Sequence, residues 1–178
     1  MCRPGDAGVK ADLDAVRKWT ATVAWDGKLL IRAARREDIV SLVAIFAADA
    51  LGGHGDTTDA AAAAEYEAAF EAISACACSK LYVAEIDGRV VGTFQTMLTR
   101  SLPGRGALRM IIEAVQTCPE MRGRGIGEAM MRFAIERAKE AGARQVQLMS
   151  NESRLDAHRF YQRLGFTKSH LGFKMRLE

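Results

Sequence analysis

The sequence predicts an α/β (α+β) domain, and three patterns carry that reading. From residue 29 onward, short apolar strand-like runs alternate with longer stretches of helical spacing. Asp87-Gly88 joins two strand-like runs as a hairpin turn. A glycine-rich segment, Cys118 to Gly125, then leads out of a strand and into an amphipathic helix.

Each element follows in order. Leu29–Ala33 reads as a strand. Residues 36–51 read as a helix, with Ile39, Val43, Phe46 and Ala50 at helical spacing. Gly52-Gly53-His54-Gly55-Asp56 breaks it, and a second helix covers 58–74 with Tyr66, Phe70 and Ile73 on one face. Strands are expected over 81–86, 89–98 and 108–117. A helix over 125–141 buries Ile126, Met130, Phe133, Ala134 and Ala138, and Gly142 stops it. A strand at 145–149 and a helix at 155–164 follow, and strands at 166–168 and 173–177 close the chain. Residues 1–27 read as an extension with a short helix near 12–19 and both tryptophans, Trp19 and Trp25. Residues 28–178 form the domain.

Composition excludes several classes. At 178 residues the chain needs no disulfide or metal staple. Its net charge of +3 does not call for a nucleic-acid partner, although it suits a small polyanion. No apolar run reaches the roughly 20 residues of a membrane span, and residues 1–14 lack the apolar centre of a secretory signal. Thiols in a reducing, cytoplasmic compartment are the default for Cys2, Cys76, Cys78 and Cys118. Zinc held by Cys76, Cys78 and His54 is disfavoured, because zinc spacings are usually CxxC-like, and no metal is expected.

The informative stretch runs from Val115 to Gly127. Glycines 123, 125 and 127 remove side chains where the loop becomes a helix. The unpaired N–H groups of that helix start, its dipole, and Arg122 and Arg124 together make a cradle for a pyrophosphate. A phosphate-binding Walker loop would need Gly-Lys-Ser/Thr, but Glu128 and Ala129 follow Gly127. A dinucleotide fingerprint would need a glycine at 128 or 130, where Glu128 and Met130 stand.

Arg122-Gly123-Arg124-Gly125-Ile126-Gly127 resembles the (Gln/Arg)-x-x-Gly-x-(Gly/Ala) loop of the GCN5-related N-acetyltransferases, the GNAT superfamily. Asp87 to Gly92 resembles that family's hairpin, and Ala157 to Phe166 resembles its closing helix and strand. The segment Ser150 to Tyr161, with Ser169-His170, is similar to a subgroup that acetylates aminoalkylphosphonates. The resemblance implies a mixed, mostly antiparallel central sheet of six to seven strands flanked by about four helices. It implies acetyl-coenzyme A as co-substrate and transfer of its acetyl group to a primary amine of a small molecule by direct attack. A protein N-terminus or lysine as acceptor, or a non-catalytic acetyl-coenzyme A-binding module, are the competing readings. No membrane partner is expected, and a homodimer is compatible with the family.

The resemblance also implies site residues. The amides of Arg122, Gly123, Arg124, Gly125, Ile126 and Gly127 would hold the pyrophosphate. Backbone groups of Val115 and Thr117, with Gln116 between them, would pair with the pantetheine arm where the strand bulges. There the Val115 N–H would polarise the carbonyl. Tyr161 is the expected acid, since a phenol of pKa about 10 can protonate a thiolate of similar basicity. Glu113 is the expected group that neutralises or attracts the amine. Strict alternation would place it on one face with Val115 and Thr117. Many members carry asparagine seven residues before the tyrosine. Here that place is Arg154 and Asn151 lies ten before, so either is a candidate contact. His158 and His170 read more readily as structural. His54, Asp56, Tyr66 and Arg100 are weak acceptor candidates, and residues 52–59 a candidate lid.

Overall fold

The computed structural model describes residues 21–22, 29–49, 55–175 and 177. The expected helix near 12–19, both tryptophans, Cys2, His54 and most of the glycine break at 52–55 lie outside the described residues.

A six-stranded sheet runs in sequence order, β1 (Ala21–Thr22), β2 (Leu29–Ala33), β3 (Ser79–Ile86), β4 (Arg89–Arg100), β5 (Leu108–Thr117) and β6 (Gln145–Leu148). Every neighbouring pair is antiparallel except β5 and β6, which run parallel. The sheet therefore starts at residues 21–22, where Ala21 faces Ile31. The helices are α1 (Ile39–Ala47), α2 (Ala63–Ala75), α3 (Ile126–Glu140) and α4 (Leu155–Arg163).

Alternation along the strands sorts their side chains onto two faces. One face joins Leu29, Ile31, Tyr82, Phe94, Met110 and Ile112 to Met130, Phe133 and Ala134 of α3. Tyr82 stacks on Phe94 at 5.0 Å between ring centroids, and Phe133 meets both edge-on. The other face carries Val83 and Val90 against Leu42 and Ile45 of α1. The expected apolar face of α1 is thus rotated: Leu42, Val43 and Ile45 are buried, while Ile39 and Phe46 are only half-buried. α2 buries no residue fully, so it rests lightly on the sheet.

Between β2 and α1, Arg32 is buried and donates to both carboxylate oxygens of Asp38, at 2.6 and 2.9 Å. Its Nε donates to Glu85 at 2.8 Å, and the Arg35 N–H donates to Asp38 at 2.7 Å. Burial opposes the Asp38 charge, but the bonds from Arg32 and Arg35 win and hold its carboxyl below the usual range. Nothing in the sequence pattern signals this pair, because its members sit on different elements.

The closing strands expected at 166–168 and 173–177 do not form among the described residues. The Phe166 N–H is held by the Tyr161 carbonyl in the turn after α4. Beyond it the chain is irregular, with Leu171 78% and Phe173 91% exposed. Their apolar alternation is that of a strand, but alternation forms a strand only where a neighbouring edge accepts its ladder. Here the tail runs unpaired.

Candidate active site

Two structural breaks in β5 create the site. The first is where its pairing with β6 stops. β6 pairs with Arg109 through Ile112 and ends at Leu148. From Glu113 to Thr117 the outer edge of β5 has no strand beside it among the described residues, while its inner edge stays paired with β4. That leaves backbone donors and acceptors facing a gap, ready for an extended ligand arm to add as a strand.

The second break is a bulge. Gln95 faces Glu113 and Thr93 faces Gln116, so Phe94 alone opposes Ala114 and Val115. Ala114 takes φ of 52°, a left-handed conformation uncommon for a residue with a Cβ. The bulge falls at Ala114 and Val115, at the start of the Val115–Thr117 stretch where the resemblance implied one. It also corrects one expectation. The extra residue shifts the alternation by one position. Ile112, Val115 and Thr117 face α3: Val115 packs on the core with Ile112, and the Thr117 hydroxyl lies near Gly127. Glu113 and Gln116 turn to the α1 side, where Gln116 donates to Asp49 at 2.6 Å. Glu113 therefore does not share a face with Val115 and Thr117.

At the end of β5 the chain makes a short turn over Pro119–Met121 and enters α3. Gly125 is the helix N-cap with φ of 82°, and no side chain caps the helix. A residue with a Cβ would be strained there. Residues 122 to 125 are all exposed. Ile126 and Gly127, which open the 15-residue helix, are buried and half-buried, and no side chain caps its first N–H groups. Gly127 lies under α4, and a Cβ there would sit 3.4 Å from Phe160.

Charge is sorted to match. Glu120 pairs with Arg89, and Glu128 with Arg132 at 2.7 Å. Arg122 and Arg124 have no acidic partner among the described residues. They stand free beside the open amides, a combination that suits a diphosphate.

Across the gap stands α4. Tyr161 is half-buried between Phe160, at 5.1 Å, and Phe166, at 5.9 Å. Burial pushes its phenol above the ordinary value, with Arg154 pulling the other way. Arg154 forms an ion pair with Asp49, whose carboxylate side chain is only 7% exposed. Asp49 thus gathers Gln116 of β5 and Arg154 of the β6–α4 loop into one cluster at the mouth of the gap. Sequence reasoning missed Asp49, which sits at the frayed end of α1 with no motif around it.

The remaining candidates separate. Asn151 is exposed, and its Oδ1 accepts from the Ser153 N–H and hydroxyl, both at 2.9 Å. It shapes the turn into α4, three residues past the end of β6. His158 binds the Asn151 carbonyl at 2.9 Å and steadies the same turn. His170 pairs with the Ser169 hydroxyl. Tyr66 donates to Asp56 and accepts from the Thr57 N–H, pinning the segment before α2. Arg100 lies at the far end of β4, pointing to the Gly106 carbonyl.

Residues 39–166 match the model of the acetyltransferase (GNAT) family. The chain belongs to that family. Over 87 residues this GNAT chain is 39% identical to the aminoalkylphosphonate N-acetyltransferase of Salmonella typhimurium, a stretch covering 49% of this chain and 56% of that protein. The chain spans about half the length, or less, of the curated relatives it matches. Among solved structures it is similar to a transcriptional regulator from Bacillus halodurans C-125, 38% identical with a TM-score of 0.81, covering 84% of this chain and 99% of that one. It shares its fold with glucosamine-6-phosphate N-acetyltransferase from Arabidopsis thaliana, with a TM-score of 0.67 at 18% identity over 84% of this chain and 99% of that one. No helix of the described residues is long and apolar enough to cross a membrane.

Proposed function

We propose that this GNAT chain is an acetyl-coenzyme A-dependent N-acetyltransferase that acetylates the primary amine of a small molecule. The observation that carries the reading is the placing of an uncapped helix start, led by the exposed residues 122–125, beside an unpaired, bulged strand edge at 113–117. One element suits a diphosphate and the other an amide-rich arm, and they adjoin in the order that coenzyme A presents them.

Bound acetyl-coenzyme A supplies the acetyl group as a thioester. The amides of residues 123–127 and the guanidinium groups of Arg122 and Arg124 bind the diphosphate; the Arg122 N–H itself donates to the Pro119 carbonyl. The β5 edge from Val115 to Thr117 aligns the pantetheine arm. The Val115 N–H, freed by the bulge, donates toward the carbonyl oxygen, where negative charge grows as the amine attacks. Glu113, on the α1 side, attracts the ammonium form of the acceptor and takes its proton through water, leaving a neutral nucleophile. Tyr161 holds its proton at Oη and gives it to the departing sulfur, and the proton that the nitrogen sheds as the amide forms returns to the phenol through solvent. Burial keeps that phenol protonated across the physiological range. Arg154 and Gln116, tied through Asp49, set the width of the gap rather than gripping the diphosphate.

Similarity to an aminoalkylphosphonate acetyltransferase favours a small anionic amine over a protein acceptor. A thiol-release assay with acetyl-coenzyme A against aminoalkylphosphonates, polyamines and amino acids tests the proposal. Turnover with at least one small amine supports it, and turnover with peptide amines alone overturns the acceptor class.

A further inference from the structure

Far from the acetyl-transfer gap, the opposite end of the sheet holds a cleft of about 540 Å³. It is lined by Gly104, Arg105 and Ala107 of the β4–β5 loop, Arg109 of β5, and Arg144 and Gln145 at the start of β6. Arg109 lies eight residues before Thr117, so this cleft is roughly 25 Å along β5 from the helix start at 122–127. The two regions share no residue.

Arg32, Arg36, Arg89, Arg132, Arg137, Arg154 and Arg159 each pair with a carboxylate. Like Arg100, Arg122, Arg124 and Arg163, the cleft's Arg105, Arg109 and Arg144 lack an acidic partner among the described residues; what sets these three apart is that they line one concavity. Glu140, the acid nearest to Arg144 in sequence, is held by Arg137. Like charges placed around one concavity repel, and an anion between them relieves that repulsion.

The loop is also shaped for presentation. Arg105 takes φ of 60°, uncommon for a residue with a Cβ, between Gly104 and Gly106. Arg100 donates to the Gly106 carbonyl at 3.2 Å and braces the loop from β4. Gly104 takes φ of 74°, and the Arg109 guanidinium packs beside it, 3.9 Å from where a Cβ would stand. In the same loop the Ser101 hydroxyl is buried without a hydrogen-bond partner. A strained loop holding an unpaired cation is the pattern of a ligand contact rather than of a solvated turn.

We propose that Arg105, Arg109 and Arg144 form a second anion site, which takes a small phosphate-bearing molecule carrying at least two negative charges. Forked guanidinium donors match phosphate oxygens, and the cleft is open to solvent, with Arg105 and Arg144 exposed on its rim. No aromatic side chain lines it, so it offers no stacking platform for nucleic acid.

The test is an amide NMR titration of the full chain with inorganic pyrophosphate, with and without saturating coenzyme A. Two variants accompany it, Arg105→Gly and Arg144→Gln. Arg105→Gly relieves the left-handed strain while removing the charge, so thermal stability should hold or rise. Shifts at Gly104, Arg105, Gly106 and Arg144 are expected, unchanged by coenzyme A and weakened at least tenfold in affinity in each variant. Shifts confined to 122–127, or equal affinity in the variants, would overturn the proposal. A DNA duplex that binds these arginines more tightly than pyrophosphate would overturn the small-molecule assignment.

Discussion

Asp49 and Arg154 form an ion pair across 105 residues of sequence, and Gln116 completes it. The pair ties the end of α1 to the loop that leads into α4, while Gln116 anchors both to the bulged strand. Three elements that bound the gap are thereby fixed to one buried carboxylate. We propose that this cluster helps to hold α4, and Tyr161 with it, relative to the bulge at Ala114 and Val115.

A double-mutant cycle of Asp49→Asn and Arg154→Gln measures that tie. The coupling expected for partly buried partners in contact is about 1–3 kcal/mol, read from denaturant unfolding. Either single change should also raise KM for acetyl-coenzyme A severalfold while Tyr161 stays in place. A coupling near zero would mean that the gap is set by packing alone.

Tyr161→Phe keeps the ring contacts with Phe160 and Phe166 and removes only the proton donor. We expect kcat to fall about 10²- to 10⁴-fold, with stability changed by about 1 kcal/mol or less. The pH profile has a defined sign. The acid works in its protonated form and burial raises its pKa, so activity should persist to pH values above the ordinary phenol range. An alkaline limb that falls below that range would assign the proton to another group.

Glu113→Gln should lower kcat/KM about 10- to 100-fold near neutrality. The deficit should shrink as pH rises toward the acceptor's own pKa, because free amine then needs no carboxylate to take its proton. A constant deficit at every pH would make Glu113 a positioning group only.

Asp38→Asn tests the buried network of Arg32. Arg32 keeps Glu85 but loses its charged, two-oxygen partner, which should cost about 1–3 kcal/mol in unfolding free energy. The pH dependence follows from the lowered Asp38 carboxyl. Its contribution is present above the unfolded value, about 4. It is lost as pH falls through the depressed folded value. Acid unfolding of the wild type should therefore be steep below about pH 4, and the variant's flatter.

Most of the fold was legible because its signals are local. The Asp87-Gly88 turn, the helix at 126–140 and its stop at Gly142 are each written within a few residues. The loop at 122–127 was legible for the same reason, since glycine spacing and arginine placement are properties of one segment. What escaped was relational. The tail from 166 carries the alternation of a strand, but whether a strand forms depends on an edge far away in sequence. The face of Glu113 was misread because a bulge inserts one residue and strict alternation assumes none. Asp49 escaped because a lone acid at a helix end gains its role only through Gln116 and Arg154. The part that Asn151 plays in shaping the turn before α4, through Ser153, was also not legible, because it rests on a contact two residues away.

Calorimetric titration of coenzyme A against pantetheine is the most direct measurement of the central claim. If the amides of 123–127 hold the diphosphate, coenzyme A should bind one to one, and pantetheine, which lacks the diphosphate, at least 100-fold more weakly. Equal affinity for the two, or no heat with coenzyme A, would contradict the account.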